Sequence, residues 1–203
     1  DSTRFGEGTD WQDAIFQDAA IASYQLSASG SGDRGSYLVS ANHFTQDGIV
    51  RGSTFDRTTM RFNAEYKLRE RVTVGQNLAF SLRRSVNGPG LLTNAYRGHP
   101  TLPFLDSLGN FAPTNPVGNP LAQLEFQNST GRNIRTIGNA YVNYEPIDGL
   151  TLRSSLGVDR SEGKAENFVP VFFVSPLQQN QDNRYSLSKD ESMSWLWENT
   201  ASY

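Results

Sequence analysis

Met60-Arg61-Phe62-Asn63-Ala64-Glu65-Tyr66-Lys67-Leu68 places an apolar side chain at every even position and a polar one at every odd position. Val72-Thr73-Val74-Gly75 continues the rule, and Leu78, Phe80 and Leu82 then alternate with Asn77, Ala79 and Ser81. Side chains of an extended chain point to opposite faces in turn, so this pattern puts one face against an apolar medium and the other against water. The reading predicts an antiparallel hairpin about Arg69-Glu70-Arg71, with Met60, Phe62, Tyr66, Val74, Leu78 and Phe80 on one face.

The same period recurs along the chain. Leu150, Leu152, Leu156 and Val158 alternate with Thr151, Arg153, Ser155 and Asp159. Weaker cases are Ala22, Tyr24, Leu26 and Ala28, then Tyr37, Val39 and Ala41, then Ala140, Val142 and Tyr144. The last, Trp195, Trp197, Ala201 and Tyr203, is interrupted by Asn199. Seven strands of about ten to twelve residues are expected. Twelve residues at ~3.3 Å each, tilted ~45°, cover ~28 Å, close to the hydrocarbon thickness of a bilayer.

The links between these segments carry a second signal. Gly30 to Gly35, Leu68 to Arg71 and Glu145 to Gly149 are short, whereas Gln46 to Asp56, Ser85 to Asn133 and Ser161 to Lys189 are longer, and the two kinds strictly alternate. An up-and-down barrel in the outer membrane has short turns on one rim and long loops on the other. A sandwich has no reason to sort its loops by parity. The expected fold is therefore all-β: an antiparallel up-and-down meander of about seven long strands, part of a transmembrane β-barrel, with two short helices outside the strands. Thr9 or Asp10 can cap the first, Trp11-Gln12-Asp13-Ala14-Ile15-Phe16. Asn119 and Pro120 read as N-cap and first residue of the second, running through Leu121-Ala122-Gln123-Leu124-Glu125.

Composition narrows the function classes. Hydrophobic residues make up 36% and charged residues 19% of the 203, with mean hydropathy −0.53. A wet-lumened barrel has this balance, because only its outward residues need be apolar. The net charge of −3 gives no reason to expect nucleic acid. With no cysteine, disulfides, thiolate metal sites and cysteine catalysis are excluded. No apolar run approaches the ~20 residues of a membrane helix. The Asp1-Ser2-Thr3-Arg4 terminus does not read as a signal peptide, so an exported parent would carry its signal upstream.

No catalytic constellation, cofactor motif or metal site is expected. Gly30-Ser31-Gly32-Asp33-Arg34-Gly35 matches the spacing of a dinucleotide fingerprint, but that mechanism needs a helix next, and Ser36-Tyr37-Leu38-Val39-Ser40-Ala41 reads as a strand. A hairpin turn is the better reading. His43 falls on the apolar parity of its strand, and His99 precedes Pro100 in a loop; neither has a second ligand at metal spacing. Tyr24, Tyr144, Trp195, Trp197 and Tyr203 share apolar parity and suit a lipid-facing surface with aromatic girdles. Tyr96, Phe104, Phe111 and Phe126, in the loops, are the better candidates for ligand contact. Asp106-Ser107-Leu108-Gly109-Asn110 reads as a turn rather than a calcium loop.

Taken in order, the residues resemble a known family. Thr9-Asp10-Trp11-Gln12-Asp13-Ala14-Ile15-Phe16, Tyr24-Gln25-Leu26-Ser27-Ala28-Ser29-Gly30 and Phe44-Thr45-Gln46-Asp47-Gly48-Ile49-Val50 are similar to successive segments of SusC/RagA-type TonB-dependent transporters. Phe55-Asp56-Arg57, Asn139-Ala140-Tyr141 through Gly149-Leu150-Thr151, and Trp197-Glu198-Asn199-Thr200 continue the likeness; Ser31 departs from it, where the family usually has a second glycine. The resemblance implies a bacterial outer-membrane importer of glycans or peptides, energised through TonB and working with a SusD-like surface lipoprotein. It also implies that residues 1–203 are one partial barrel domain, with the plug, TonB box and remaining strands elsewhere in the parent. No functional residue is carried over from the family, and no enzymatic activity is implied. The competing expectation is a soluble, secreted β-sandwich binding carbohydrate through loop aromatics, in which Phe62, Leu78, Phe80 and Leu152 would pack into a closed core.

Overall fold

A computed structural model describes residues 8–114 and 116–203; the Asp1–Arg4 terminus lies outside them. Seven strands form one antiparallel sheet: β1 (Ile21–Gly32), β2 (Gly35–Asp47), β3 (Thr54–Arg69), β4 (Val72–Asn87), β5 (Asn128–Ile147), β6 (Leu150–Val169) and, last in the sheet, β9 (Arg184–Ser202). Their spatial order follows the chain, β1-β2-β3-β4-β5-β6-β9, which is an up-and-down meander. The predicted hairpin forms in register, pairing Met60 with Phe80, Phe62 with Leu78 and Tyr66 with Val74.

Links on one edge of the sheet are two-residue turns, Asp33–Arg34, Glu70–Arg71 and Asp148–Gly149, whereas those on the other are residues 48–53, 88–127 and 170–183. At Asp148–Gly149 the ladder shifts between Tyr144 and Ile147, and Gly149 takes φ +85°, a left-handed conformation that costs other residue types energy. Gly32 pairs with Gly35, so the glycine-rich stretch is a hairpin turn.

The strands are longer than expected. β5 and β6 have 20 residues each and β9 has 19, so much of what read as the Ser161–Lys189 loop is paired strand. Alternation marks a strand only where one face is apolar. In Glu162–Asn167 and Arg184–Glu191 both faces are largely polar and small, and the ladder of backbone hydrogen bonds continues without that signature. Twenty residues tilted ~45° rise ~47 Å, well past a hydrocarbon core of ~30 Å.

Among the described residues, three helices and a small hairpin lie outside the sheet: α1 (Trp11–Ile15), α2 (Leu92–Arg97), α3 (Pro120–Phe126), and β7 (Phe172–Ser175) with β8 (Gln178–Asn180). Asp10, one of the two candidates in the sequence, caps α1 through the amides of Gln12 and Asp13, and Asn119 caps α3 through Leu121 and Ala122, as read from sequence. The expectation of two helices is corrected to three. The N-cap of α2 is Leu91, which makes no side-chain cap, so the usual start signal is missing there. The β7–β8 hairpin likewise carries no alternation signal, because its strands are only four and three residues long.

Every buried residue among those described lies outside the seven-stranded sheet. Trp11, Ile15, Leu91 and Ala95 form a small core, flanked by Phe16, Val50, Leu102, Phe104 and Leu124, on the long-loop side. The sheet is a single layer whose apolar face is open: Phe62 is 38%, Leu78 43% and Leu152 39% exposed. The closed core expected of a sandwich is not formed.

Candidate functional site: two faces and a cap

Strand register sorts the side chains of the sheet into two chemically distinct faces. On the apolar face, Ala28, Val39, Phe62, Leu78, Gly138, Val158 and Trp195 are successive cross-strand neighbours in one row. The next row toward the short turns ends in Ala140, Leu156 and Trp197, with Leu156 and Trp197 more than half exposed. Trp197 donates its indole N–H to Ser154 Oγ at 3.0 Å, satisfying the polar residue that interrupts the apolar parity of β6. His43 sits on this face toward the long loops, its Nδ1 3.0 Å from Thr58 Oγ1. It has no second ligand beside it, and among the described residues no group of His, Asp and Glu side chains is arranged to hold a metal.

The polar face carries a network that parity alone could not pair. Glu65, Gly75 and Tyr141 are neighbours across β3, β4 and β5. The Tyr141 ring lies over Gly75, where a Cβ would come within 2.2 Å of it, and reaches on to donate its hydroxyl to Glu65 Oε2 at 2.6 Å. The Arg153 guanidinium stands 3.8 Å over the same ring, a cation–π contact. A glycine at 75 is therefore required by the close approach of a neighbouring side chain. Nearer the long loops, Arg57, Arg61, Arg83 and Arg135 crowd one shallow depression with Phe55, Thr59 and Asn133. Arg135 makes a two-point contact with Asp159, at 2.9 and 2.6 Å, and Arg57 stacks on Phe44 at 5.7 Å.

The cap joins three stretches of loop. Trp11 packs edge-on against Phe104 at 5.0 Å and donates its indole N–H to the His99 carbonyl at 3.1 Å. His99 lies in a loop, its Nδ1 2.8 Å from Thr101 Oγ1. Asn119, fully buried, is the junction. Its Nδ2 donates to the carbonyls of Phe104 and Ala112 at 2.9 and 3.0 Å while its Oδ1 caps α3, and Gln178 of β8 exchanges two hydrogen bonds with its backbone. Asp106 closes a turn by accepting from the amides of Leu108 and Asn110, with Gly109 at φ +83°. Those donors, Asn110 first, hold its carboxyl below the usual carboxylate range.

Of the four loop aromatics singled out for ligand contact, three are spent on packing. Phe104 braces Trp11, Phe111 meets Phe126 edge-on at 5.7 Å, and Phe126 stacks on Phe172 at 4.6 Å. Tyr96, 81% exposed on α2, remains open to a ligand.

No protein-family model matches the chain. It is 31% identical over 183 residues to the TonB-dependent receptor P3 of Formosa agariphila, covering 82% of this chain and 18% of that protein. It is 28% identical over 194 residues to the TonB-dependent receptor SusC of Bacteroides thetaiotaomicron, covering 81% of this chain and 19% of that one. Its fold is similar to a chain of the RagAB peptide importer in the open-open state, with TM-score 0.78 at 22% identity, over 97% of this chain and 23% of the other. The chain thus spans about a fifth of the length of the relatives it matches.

Proposed function

We propose that this chain, which belongs to the SusC/RagA family of TonB-dependent receptors as a segment of their β-barrel, supplies seven adjacent wall strands of an outer-membrane importer of glycans or peptides that works with a SusD-like lipoprotein. The observation that carries this reading is the single-layer meander with one open apolar face and all its long links on one edge. Lipid covers the apolar face, so its exposed leucines and tryptophans incur no penalty in place. The polar face lines the lumen, and the capped long loops stand on the cell surface.

In that setting the wall residues hold and shape; they do not react. The Glu65–Tyr141–Arg153 bridge ties β3, β5 and β6 side to side across Gly75, stiffening the lumen wall against the movements of transport. The arginine patch of Arg57, Arg61 and Arg83 gives the outer part of the lumen positive charge that suits acidic groups on cargo or on a domain seated inside the barrel. Energy coupling through TonB resides in the rest of the parent.

The test is made on the intact receptor in its own bacterium. Deleting its gene is expected to abolish growth on one class of oligosaccharide or peptide supplied as sole nutrient, and the full-length protein purified in detergent is expected to bring a SusD-like lipoprotein with it. Undiminished growth on every such nutrient would overturn the importer reading.

A further inference from the structure

The apolar face changes character abruptly toward the long loops. Read across the sheet, Asp56 on β3, Arg84 on β4, Arg132 on β5, Lys164 on β6 and Lys189 on β9 are successive cross-strand neighbours, all on the face that carries Phe62, Leu78 and Trp195. Four consecutive strands thus present four cations at ~4.8 Å spacing, a line ~14 Å long. Like charges placed directly opposite one another destabilise a sheet, so this row persists at a cost unless something anionic lies on it.

The acids on the same face neutralise the line only in part: Lys164 is ion-paired, whereas Asp56, across from Arg84, makes no ion pair among the described residues. Glu162 and Glu191, in the adjacent row, are both held by Arg160, at 2.5 and 2.8 Å. Glu166 pairs with Lys164 at 2.8 Å. Among the described residues, Arg84, Arg132 and Lys189 make no ion pair, and all three are exposed. Because barrel strands are tilted, a row that runs perpendicular to them climbs relative to the membrane. Arg84 and Arg132 come directly after the apolar Leu82 and Ile134 on this face, at the rim of the apolar band, whereas Glu162 and Glu191 separate Lys164 and Lys189 from the apolar residues of their own strands. In the membrane-barrel reading, the rim of the apolar band is where a lipid of the outer leaflet carries its headgroup.

Resting on the membrane-barrel reading above, we propose that Arg84, Arg132, Lys164 and Lys189 form a binding surface for the phosphorylated headgroup of an outer-leaflet lipid. Adjacent cations ~5 Å apart let one phosphate accept charge-assisted hydrogen bonds from two side chains at once. The oblique line also lets a second phosphate on the same headgroup engage farther out, while the acyl chains lie along Phe80, Leu82 and Ile134. The lipid would relieve the repulsion within the row.

The full-length receptor, purified in detergent, is titrated with bis-phosphorylated lipid A and with the same lipid stripped of its phosphates, binding being read by native mass spectrometry. The unmodified receptor is expected to prefer the phosphorylated lipid by about tenfold or more, the effect of a charged hydrogen bond or two. Combined Arg84→Gln, Arg132→Gln and Lys189→Gln should erase the preference, whereas combined Arg57→Gln, Arg61→Gln and Arg83→Gln, equal in charge but on the opposite face, should keep it. Equal binding of the two lipids by the unmodified receptor would overturn the proposal without recourse to any variant. So would loss of preference in the polar-face variant alone, or displacement of the lipid by inorganic phosphate at the same concentration, which would mark a free-phosphate site. A fluorophore on Leu156→Cys separates the two levels of failure. If brominated acyl chains quench it but the lipid preference is absent, only this inference falls; if they do not, the membrane reading falls with it.

Discussion

The cap and the sheet of this chain satisfy the hydrophobic effect in opposite ways. In the cap, Trp11, Ile15, Leu91 and Ala95 are withdrawn from water by one another, brought together from segments about eighty residues apart in the chain. In the sheet, residues at least as apolar remain open, with Trp195 at 69% and Leu26 at 77% exposure. The difference teaches what each region is solvated by. A helix-and-loop cluster surrounded by water must build its own interior, as a soluble domain does. A strand facing hydrocarbon has its apolar partner supplied by the bilayer and needs only to complete its backbone hydrogen bonds with its neighbours.

The largest test of this contrast is to remove the bilayer and the rest of the barrel. As an isolated chain in buffer without detergent, residues 1–203 should not run as a monodisperse monomer with a cooperative thermal transition, because the open apolar face and the edges at β1 and β9 both invite association. Size-exclusion chromatography with light scattering checks this, and a well-behaved monomer would break the comparison.

Within the intact receptor, Leu78→Arg should cost ~2–4 kcal/mol, the range for a cation near the bilayer midplane, and Asn77→Arg, one residue along on the polar face, should cost much less. Denaturant titrations of the receptor refolded in bilayers give both values; equal losses would erase the distinction between the faces. Asn119→Ala should act on the cap alone. It removes the α3 cap and leaves the Phe104 and Ala112 carbonyls without their donor, a local loss of ~2 kcal/mol. Faster hydrogen exchange across residues 104–126, with unchanged exchange in β3 and β4, is the expected pattern.

The smallest effect concerns Asp106. Its carboxyl is held below the ordinary value of 3.8 by the amides of the turn, so the turn is favoured above that value and loosens as pH falls from there through the lowered folded-state value. After correction for intrinsic rates, the Leu108 and Asn110 amides should lose protection on acidification from pH ~6 to pH ~3, and Asp106→Asn should remove most of that dependence.

The two regions also differed in how far they could be read from sequence. β3 and β4 were legible almost to the residue, because strict alternation and a tight polar turn are local signals that tertiary context reinforces. The outer halves of β6 and β9 were not, because there neither face meets an apolar medium and Glu162–Asn167 reads like loop. In the cap, Asp10 and Asn119 announced their helices through side-chain chemistry, whereas α2 has Leu91 at its N-cap and announces nothing. The aromatics Phe104, Phe111 and Phe126 looked free for ligand because composition cannot tell a ring that stacks on another ring from one that waits for a sugar.

By itself, the sequence determined the class of fold, the parity of each strand's faces, the edge on which the long loops gather, and two of the three helix starts. Each of these depends on a residue's own chemistry and that of its near neighbours in the chain. Only the tertiary structure decided which residues stand opposite one another: Tyr141 over Gly75 against Glu65, Asn119 between Phe104 and Gln178, and four cations in one line across β4, β5, β6 and β9. Those partners lie tens of residues apart, and the hydrogen-bond register that aligns them is a property of paired strands, which no single strand contains.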